Sequence, residues 1–330
     1  ADVRPWLGEL HLVAVYDRAL SASEVAQNFD AGIHPENGEP APLVFTHGWA
    51  AEGEQAYAQL GYSASTAGDV NGDGFDDVIT GARLYDNPDN TEGQARLYLG
   101  SENGLNTYPS WIAEGEQTAS DYGFSVATLE DMNQDGYADV IVGARAHDEG
   151  GYTDNGKVYV YYGSATGLSD NADWSAIGDV NDAFFGHAVA LAGDVNGDSY
   201  NDILVGARAY SNGETGEGRV YLYYGSPSGI GQSSPWIVES NDAGAWFGYA
   251  VASAGDVNSD GYDDIIVGAP FAGNGTIDGG KAYVYYGSAT GPSITPDWEV
   301  ASTQDGAQMG VGTGVAGVGD VNHDGYDDVL

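Results

Sequence analysis

The stretch Gly255–Pro270 reads GDVNSDGYDDIIVGAP and joins a short acidic loop to an apolar strand. Oxygen-bearing side chains occupy positions one, three, five and nine of the loop, and these are Asp256, Asn258, Asp260 and Asp264. A glycine stands at position six, and Tyr262 at position seven offers its backbone carbonyl. Calcium takes six to eight oxygen ligands at about 2.3–2.6 Å and accepts mixed geometry more readily than magnesium does. Because the following run Ile265–Val267 is β-branched, the stretch predicts a calcium loop that leads into a buried strand.

The same loop occurs four more times in the chain. The residues at positions one, three, five and nine are Asp69, Asn71, Asp73 and Asp77, then Asp131, Asn133, Asp135 and Asp139, then Asp194, Asn196, Asp198 and Asp202, and finally Asp320, Asn322, Asp324 and Asp328. The first aspartates of successive loops are separated by 62, 63, 62 and 64 residues. A fixed period of this size indicates a repeat architecture.

Each repeat also carries a regular pattern of strands. A strand of small residues precedes the loop, and an Ile/Val strand follows it. A third strand rich in tyrosine comes next, at 95–100, 158–163, 220–225 and 282–287, and tryptophans at 111, 174, 236 and 298 mark a fourth. Four strands in about 62 residues describe a blade of a β-propeller, whose sheets stack face to face. We therefore expect the tyrosines to pack between blades and not to form a stacking platform for a cofactor.

A residue pair at the start of each blade identifies the repeat. Glycine follows an aromatic residue or methionine in Tyr122-Gly123, Phe185-Gly186, Phe247-Gly248 and Met309-Gly310, and the first repeat is interpreted as reversing this order in Gly61-Tyr62. Together with Gly268-Ala269-Pro270 and the DxNxDGxxD loop, this pattern resembles the FG-GAP repeat of the integrin α-subunit propeller, which also occurs in bacterial secreted and surface proteins. The resemblance covers about 280 of the 330 residues.

The resemblance implies an all-β, seven-bladed propeller with its calcium loops between the first and second strands of the blades. It implies ligation by positions one, three, five and nine and by the carbonyl at position seven, with up to five calcium ions in this chain. Those carbonyls belong to Phe75, Tyr137, Tyr200, Tyr262 and Tyr326. The third loop has Ser199 at position six, where a left-handed backbone would cost serine about 1 kcal/mol, so we expect this site to be the weakest.

The chain is predicted to contain three parts. Residues 1–34 resemble the C-terminal end of a laminin-G-like, concanavalin-type jelly roll, although they could instead be an amphipathic lead-in, and residues 35–42 form a linker. The propeller covers 43–330, with a closing strand at about 43–52, complete blades at 60–115, 122–178, 184–240 and 246–302, and a truncated blade at 309–330. About four and a half blades of seven are present, so we expect a fragment of a longer chain; completion by another molecule is the alternative.

The charge composition of the chain excludes some classes of binding partner. The formal net charge is −41, and the five loops alone hold eighteen aspartates. Nine Lys and Arg residues in total make nucleic acid and anionic membranes poor partners, and the absence of an apolar run of about 18 residues predicts no membrane insertion. Loops of this kind in extracellular modules bind calcium at about 10⁻⁴ to 10⁻³ M, which indicates an extracellular or cell-surface location.

The sequence offers little support for catalysis. The six histidines, at 11, 34, 47, 147, 187 and 323, form no metal-binding motif, and His323 is expected to face solvent. Acids of the variable loops could form an active site, but solvated loop carboxylates are the simpler interpretation; they are Asp86, Asp89, Asp148, Asp154, Glu214, Glu217 and Asp278. The arginines of the Gly-Ala-Arg motifs, at 83, 145 and 208, are expected to pair with aspartates between blades or loops.

The sequence thus predicts a non-enzymatic, extracellular calcium-binding propeller for adhesion, ligand binding or surface assembly. Its partner would be a protein or a glycan held on one face of the propeller. Two alternatives remain: a targeting module of a secreted polysaccharide-active enzyme, and a subunit of an extracellular filament that self-associates through open blade edges. Loops that form only Asx turns, without metal, are the alternative to calcium binding.

Overall fold

Strands account for all the regular secondary structure of the described residues, which are 49–87, 90–231, 234–273, 278–312 and 314–330 of a computed structural model. The chain separates into two units, Ala1–Trp49 and Ala50–Leu330, and the second contains every strand described below. The predicted jelly-roll remnant and linker lie outside the described residues, as does 43–48 of the predicted closing strand. Residues 49–52 contain no strand. No helix long and apolar enough to cross a membrane occurs in the described ranges.

Each complete repeat forms one four-stranded antiparallel sheet. The strands of the first sheet are β1 (Leu60–Gly68), β2 (Asp77–Ala82), β3 (Gln94–Tyr98) and β4 (Trp111–Glu114). Those of the second are β5 (Tyr122–Glu130), β6 (Asp139–Ala144), β7 (Lys157–Tyr161) and β8 (Trp174–Ile177). Neighbouring strands pair in chain order, which is the connectivity expected of a propeller blade.

The remaining strands repeat this plan. The third sheet contains β9 (Phe185–Gly193), β10 (Asp202–Ala207), β11 (Arg219–Tyr223) and β14 (Trp236–Glu239), with the short hairpin β12 (Gly225–Ser226) and β13 (Gly229–Ile230) between its last two strands. The fourth contains β15 (Ala250–Gly255), β16 (Asp264–Ala269), β17 (Lys281–Tyr285) and β18 (Trp298–Ala301), and β19 (Gly317–Gly319) pairs with β20 (Asp328–Val329) to begin a fifth. The prediction of four complete four-stranded units and the start of a fifth is confirmed.

The register of the first sheet corrects one detail of the predicted repeat. Leu60 pairs with Ala82, just as Tyr122 pairs with Ala144 in the second sheet. Leu60-Gly61 is therefore the counterpart of Tyr122-Gly123, and the interpretation of Gly61-Tyr62 as a reversed pair is wrong. The first repeat has leucine in place of the aromatic residue, and Tyr62 instead occupies the place that Phe124 has in β5.

The core lies between consecutive sheets. Because side chains alternate along a strand, Val140 and Val142 of β6 pack toward the first sheet, while Ile141 packs with Ile203 of the third. The central strands β6, β10 and β16 are buried over their whole length. Tyrosines of the third strands are buried in the same layers, as Tyr159 is beside the ring of Tyr122 at 5.2 Å, which confirms their packing role.

The first strands contact one another from sheet to sheet, with β5 between β1 and β9, and β9 between β5 and β15. They therefore form the inner edge of the stack, and we call the concave space beside this edge, where they line a cavity, the channel. The loops that join first to second strands lie at one end of the sheets. The second strands end at the other end, where the next first strand begins, so the molecule presents two chemically different ends.

Candidate metal sites

All five acidic loops join a first strand to a second strand, as predicted. In the fourth loop the N–H of Asp260 donates to Asp256 Oδ1 and to Asn258 Oδ1, each at 2.9 Å. The N–H of Gly261 donates to the second oxygen of Asp256 at 2.8 Å. The other four loops repeat these three hydrogen bonds at 2.7–3.0 Å. The side-chain oxygens of positions one and three thus lie within reach of one backbone N–H in every loop.

Position nine of the first four loops has a different environment, because its carboxylate is buried beneath the loop. Asp264 accepts hydrogen bonds from the backbone N–H groups of Val257 at 2.9 Å and Gly287 at 2.8 Å. The second donor follows the third strand, so this carboxylate fastens the loop to the rest of its sheet. Burial raises the pKa of these carboxyls, and the acids at positions five and one raise it further. The pKa is about 6 for Asp77, about 7 for Asp139, about 8 for Asp202 and about 7 for Asp264.

The donor set fits a hard cation. The oxygens at positions one, three, five and nine are carboxylate or amide oxygens, and each carboxylate oxygen that accepts one hydrogen bond keeps a second acceptor site. No Lys, Arg or His side chain of the described residues lies within 4.0 Å of the buried Asp264 carboxylate. Among the described residues, no group of three or more Asp, Glu or His side chains is arranged closely enough to hold a metal ion.

The hydrogen bonds within the loops are also those of consecutive Asx turns. Besides the bonds above, Asn258 Nδ2 donates to Asp260 Oδ2 at 3.0 Å, and the N–H of Tyr262 donates to Asp260 Oδ1 at 3.1 Å. The Asx-turn interpretation and the metal interpretation therefore share one loop conformation. Ligation by positions one, three, five, seven and nine stays a prediction for all five loops.

The backbone at position six is left-handed in every loop. The glycines there have φ between 89° and 94°, and Ser199 has φ of 71°. This confirms the backbone conformation on which the expected weakness of the third loop depends. The prediction for His323 at position four of the fifth loop is also confirmed, since that residue is exposed.

Position eight has a role that the sequence did not reveal. Asp263 Oδ2 accepts a hydrogen bond from the N–H of Asp194, the first residue of the preceding loop, at 2.7 Å. The N–H of Asp263 donates in turn to the carbonyl of Asp194 at 3.2 Å. Asp327 makes the same pair of bonds to Asp256, at 2.9 and 3.2 Å. We call this arrangement the interloop clip, because it joins the loops of neighbouring blades.

The interloop clip depends on a glycine just before the loop it grips. A Cβ atom added to Gly193 would lie 2.2 Å from Asp263 Oδ2, and one added to Gly255 would lie 2.1 Å from Asp327 Oδ2. Where the preceding residue is Glu130 instead, position eight of the next loop is Asn201, and the two side chains meet at 3.4 Å. Glycine is paired with an aspartate one repeat later at these two places, whereas Gly68 faces Ala138, so the sequence pattern alone does not reveal the clip.

At the opposite end of the sheets, the channel contains a cavity of about 520 Å³ between the first strands. Equivalent positions of those strands contribute a series of rings to its wall, Tyr62, Phe124, His187 and Tyr249. Consecutive ring centroids are 5.0, 4.9 and 4.6 Å apart. Sequence reasoning missed this series because it treated His187 as scattered.

The three Gly-Ala-Arg arginines lie beside these rings. Arg145 Nε is 2.9 Å and Arg83 Nη1 is 3.5 Å from Asp121 Oδ2, which confirms the predicted pairing with aspartate for two of them. Arg208 differs, because no carboxylate of the described residues lies within 4.0 Å of it. Its Nε donates to His187 Nδ1 at 3.2 Å. Burial, together with Arg208 and Arg145, holds the pKa of His187 well below its usual value.

The variable-loop acids with resolved contacts serve their own loops. Asp148 Oδ1 accepts from the N–H of Asp154 at 2.7 Å, and Asp86 Oδ1 accepts from the N–H of Thr91 at 2.5 Å. Glu217 is fully buried and accepts from the N–H of Asn212 at 2.7 Å. Asp89 lies outside the described residues. These contacts are those of loop-stabilising carboxylates.

Four segments of the chain match the FG-GAP repeat, at residues 60–98, 122–161, 185–223 and 247–285. The chain contains four FG-GAP repeats. Each of the first three matched segments begins where a first strand begins and ends at the end of a third strand, and the fourth begins at the Phe247-Gly248 pair just before β15. The repeats therefore coincide with the blades that the strand pairing defines, and each one encloses an acidic loop.

The propeller is similar to integrin α subunits. Integrin alpha pat-2 of Caenorhabditis briggsae is 31% identical over 255 residues, which are 72% of this chain and 20% of that protein. Integrin alpha-V of Gallus gallus is 32% identical over 272 residues, which are 80% of this chain and 24% of that protein. The FG-GAP chain thus spans about a fifth to a quarter of the length of these relatives.

Among solved structures, a rhamnogalacturonan lyase of exotype is similar with a TM-score of 0.40 and 15% identity, over 81% of this chain and 52% of that one.

Proposed function

We propose that this FG-GAP chain is a calcium-stabilised, non-enzymatic binding module that works outside the cell, in adhesion, ligand binding or surface assembly. The observation that carries the proposal is the recurrence of one oxygen arrangement in five loops. Each loop holds its position-one carboxylate and position-three amide oxygen on the same backbone N–H. A chain with a net charge of −41 concentrates acids here at a cost in repulsion that a divalent cation would offset.

Calcium in these loops would stabilise the propeller by joining strands. In this proposal the residues at positions one, three, five, seven and nine hold the ion. Position nine is the first residue of a second strand. In the first four loops it also accepts a hydrogen bond from the second residue after the third strand, as Asp77 does from the N–H of Gly100 at 2.7 Å. The ion would therefore fix the first hairpin of a blade to its third strand.

A binding role agrees with the remaining observations. Contacts of the variable-loop carboxylates are internal to their loops, and the similarity to integrin α subunits supports adhesion or ligand binding as the general role. We propose that the partner is a protein or a glycan bound on a propeller face. We also propose an extracellular or surface location, which the calcium affinity expected of such loops and the same similarity support.

The number of calcium ions bound per chain tests the proposal. We expect isothermal titration calorimetry to give at least four equivalents, because four loops have all of their partner strands. The variant Asp260→Ala should lose one equivalent, since Asp260 supplies position five of the fourth loop. Asp170→Ala, which removes an exposed acid outside the loops, is the matched control and should lose none. Absence of saturable calcium binding would contradict the proposal.

A further inference from the structure

Arginines and aromatic rings alternate around the end of the channel opposite the acidic loops. The guanidinium carbon of Arg83 lies 4.4 Å from the ring centroid of Tyr62 and 5.7 Å from that of Phe124. Arg145 lies 3.8 Å from the ring of Phe124 and 5.6 Å from that of Phe184. Arg208 continues the series at 4.8 Å from Phe184 and 4.2 Å from Trp246. We call these seven side chains the arginine ladder.

The arginine ladder carries a net positive charge in a strongly acidic chain. One carboxylate, that of Asp121, serves both Arg83 and Arg145, and among the described residues Arg208 has no carboxylate within 4.0 Å. Two like charges therefore stand near each other, and burial together with Arg145 lowers the pKa of Arg208.

The other described cations are paired in the ordinary way. All four lie on third strands, and each has an acid of its own: Arg96 with Glu54, Lys157 with Glu149, Arg219 with Glu239 and Lys281 with Glu299. A chain with 50 acidic residues could supply one to Arg208 as it does to these four. The unmatched charge is therefore a local property of the channel end.

The ladder adjoins a cavity of ligand size. Tyr62 and Phe124 belong to the ladder and also line the 520 Å³ cavity, whose wall continues through His187 and Tyr249. Pockets that hold small molecules have volumes of about 300–1,000 Å³ and combine apolar walls with a few polar groups. Because His187 Nδ1 accepts a hydrogen bond from Arg208, the neutral ring has its proton on Nε2, which adds a donor at the cavity wall.

Packing alone explains only part of this arrangement. Cation–π contacts account for the position of each guanidinium group between two rings. They do not account for an arginine that lacks an acid and lies beside another arginine. Guanidinium groups bind carboxylates through two parallel hydrogen bonds, and aromatic faces pack against the C–H groups of sugar rings.

We propose that the arginine ladder and the adjoining cavity bind a sugar that carries a carboxylate. Arg208 and Arg145 bind the carboxylate, and the rings of Phe124 and Tyr249 pack against the sugar. This inference rests on the proposed binding role of the propeller and does not depend on calcium in the loops.

Calorimetric titration of the calcium-loaded chain with glucuronate at low ionic strength tests this site, with glucose as the uncharged probe. We expect glucuronate to bind and glucose to show no measurable heat. Arg208→Gln should weaken binding by about tenfold, because it removes a charged partner of the carboxylate. Lys281→Gln is the matched control, since it removes one positive charge from an outer part of the fourth sheet, and it should leave the affinity unchanged.

A second variant changes the affinity in the opposite direction. Asp121→Asn removes the acid that competes for Arg145 and Arg83, so glucuronate should bind several-fold more tightly. Asparagine tolerates the backbone φ of 53° at this position, so the variant should fold. Circular dichroism and the calcium stoichiometry of each variant establish that it is folded.

Equal binding of glucose and glucuronate, or an unchanged affinity in Arg208→Gln, would overturn the proposed site. Binding of a glutamate-rich peptide in an Arg208-dependent way, with no binding of glucuronate, would overturn its assignment to a sugar. In either case an intact calcium stoichiometry would leave the proposed calcium-stabilised module standing, so that the two proposals can fail separately.

Discussion

At the scale of single residues, backbone conformation decides which side chain fits position six of the loops. Ser199 is held at φ of 71°, where four other loops have glycine. We expect Ser199→Gly to raise the free energy of unfolding by about 1 kcal/mol, because glycine adopts this conformation without strain. Urea unfolding in the presence of a chelator measures the change. Gly261→Ser is the reverse control and should lower stability by a similar amount, and equal stabilities of all three chains would contradict the argument.

His187 gives the protein a pH dependence whose sign follows from its surroundings. Its pKa is lowered in the folded state by burial and by two arginines, so the unfolded state binds more protons once the pH falls below about 6.5. Its contribution to stability is therefore complete above that pH and is lost as the solution becomes more acidic. In saturating calcium, we expect His187→Gln to have a smaller fall in melting temperature between pH 7.5 and pH 5.5 than the unsubstituted chain. An identical fall would show that His187 does not titrate as described.

At the scale of elements, the interloop clip predicts a coupling between two residues that are far apart in the sequence. We expect Gly193→Ala to destabilise the chain more than Gly104→Ala does. Both glycines have positive φ, at 82° and 94°, but only the first has a carboxylate where the new Cβ would lie. Asp263→Ala should also destabilise, by about 1–3 kcal/mol, because it leaves the N–H of Asp194 without its acceptor.

The double variant Gly193→Ala/Asp263→Ala separates the clash from the backbone strain. It should lose less stability than the sum of the two single changes, since the clash requires both residues. Chemical denaturation of the four chains completes the cycle. Strict additivity would mean that the clip does not connect the loops energetically.

Local sequence patterns predicted the strands and loops well, but they did not predict the contacts between repeats. Three features depend only on their own local environment, and the structure confirms all three: the Ile/Val runs, the tryptophans that begin the fourth strands, and the glycines of the loops. The interpretation of Gly61-Tyr62 as a reversed pair was wrong because it assigned Tyr62, an aromatic residue next to Gly61, to the aromatic position of the repeat motif. The pairing of β1 with β2 shows which residues are equivalent, and this pairing cannot be read from one strand alone.

The roles of Asp263 and Arg208 could not be predicted for a related reason. Each depends on a residue from another blade or another strand, namely Asp194 for the first and His187 for the second. The sequence shows only that these residue types recur with the period of the repeat. Which of them meet is determined by how consecutive sheets stack.

At the scale of the whole molecule, the two ends of the stacked sheets have opposite character. One end carries the acidic loops joined by interloop clips, and the other carries the arginine ladder beside the cavity. Apolar layers between sheets join the two ends, because each buried central strand contributes side chains to both of its neighbours. Ions bound at the acidic end would therefore stabilise the framework that holds the channel.

The melting temperature in millimolar calcium, compared with that in a chelator, tests the central claim most directly. A ligand present at ten times its Kd stabilises by about 1.4 kcal/mol per site if it binds only the folded state, so four or five sites should raise the melting temperature by roughly 10 °C. Magnesium at the same concentration should give a smaller rise, because the loops offer a mixed and crowded set of oxygens. A melting temperature that is the same in calcium and in chelator would contradict the account and would mean that the loops are Asx turns without metal.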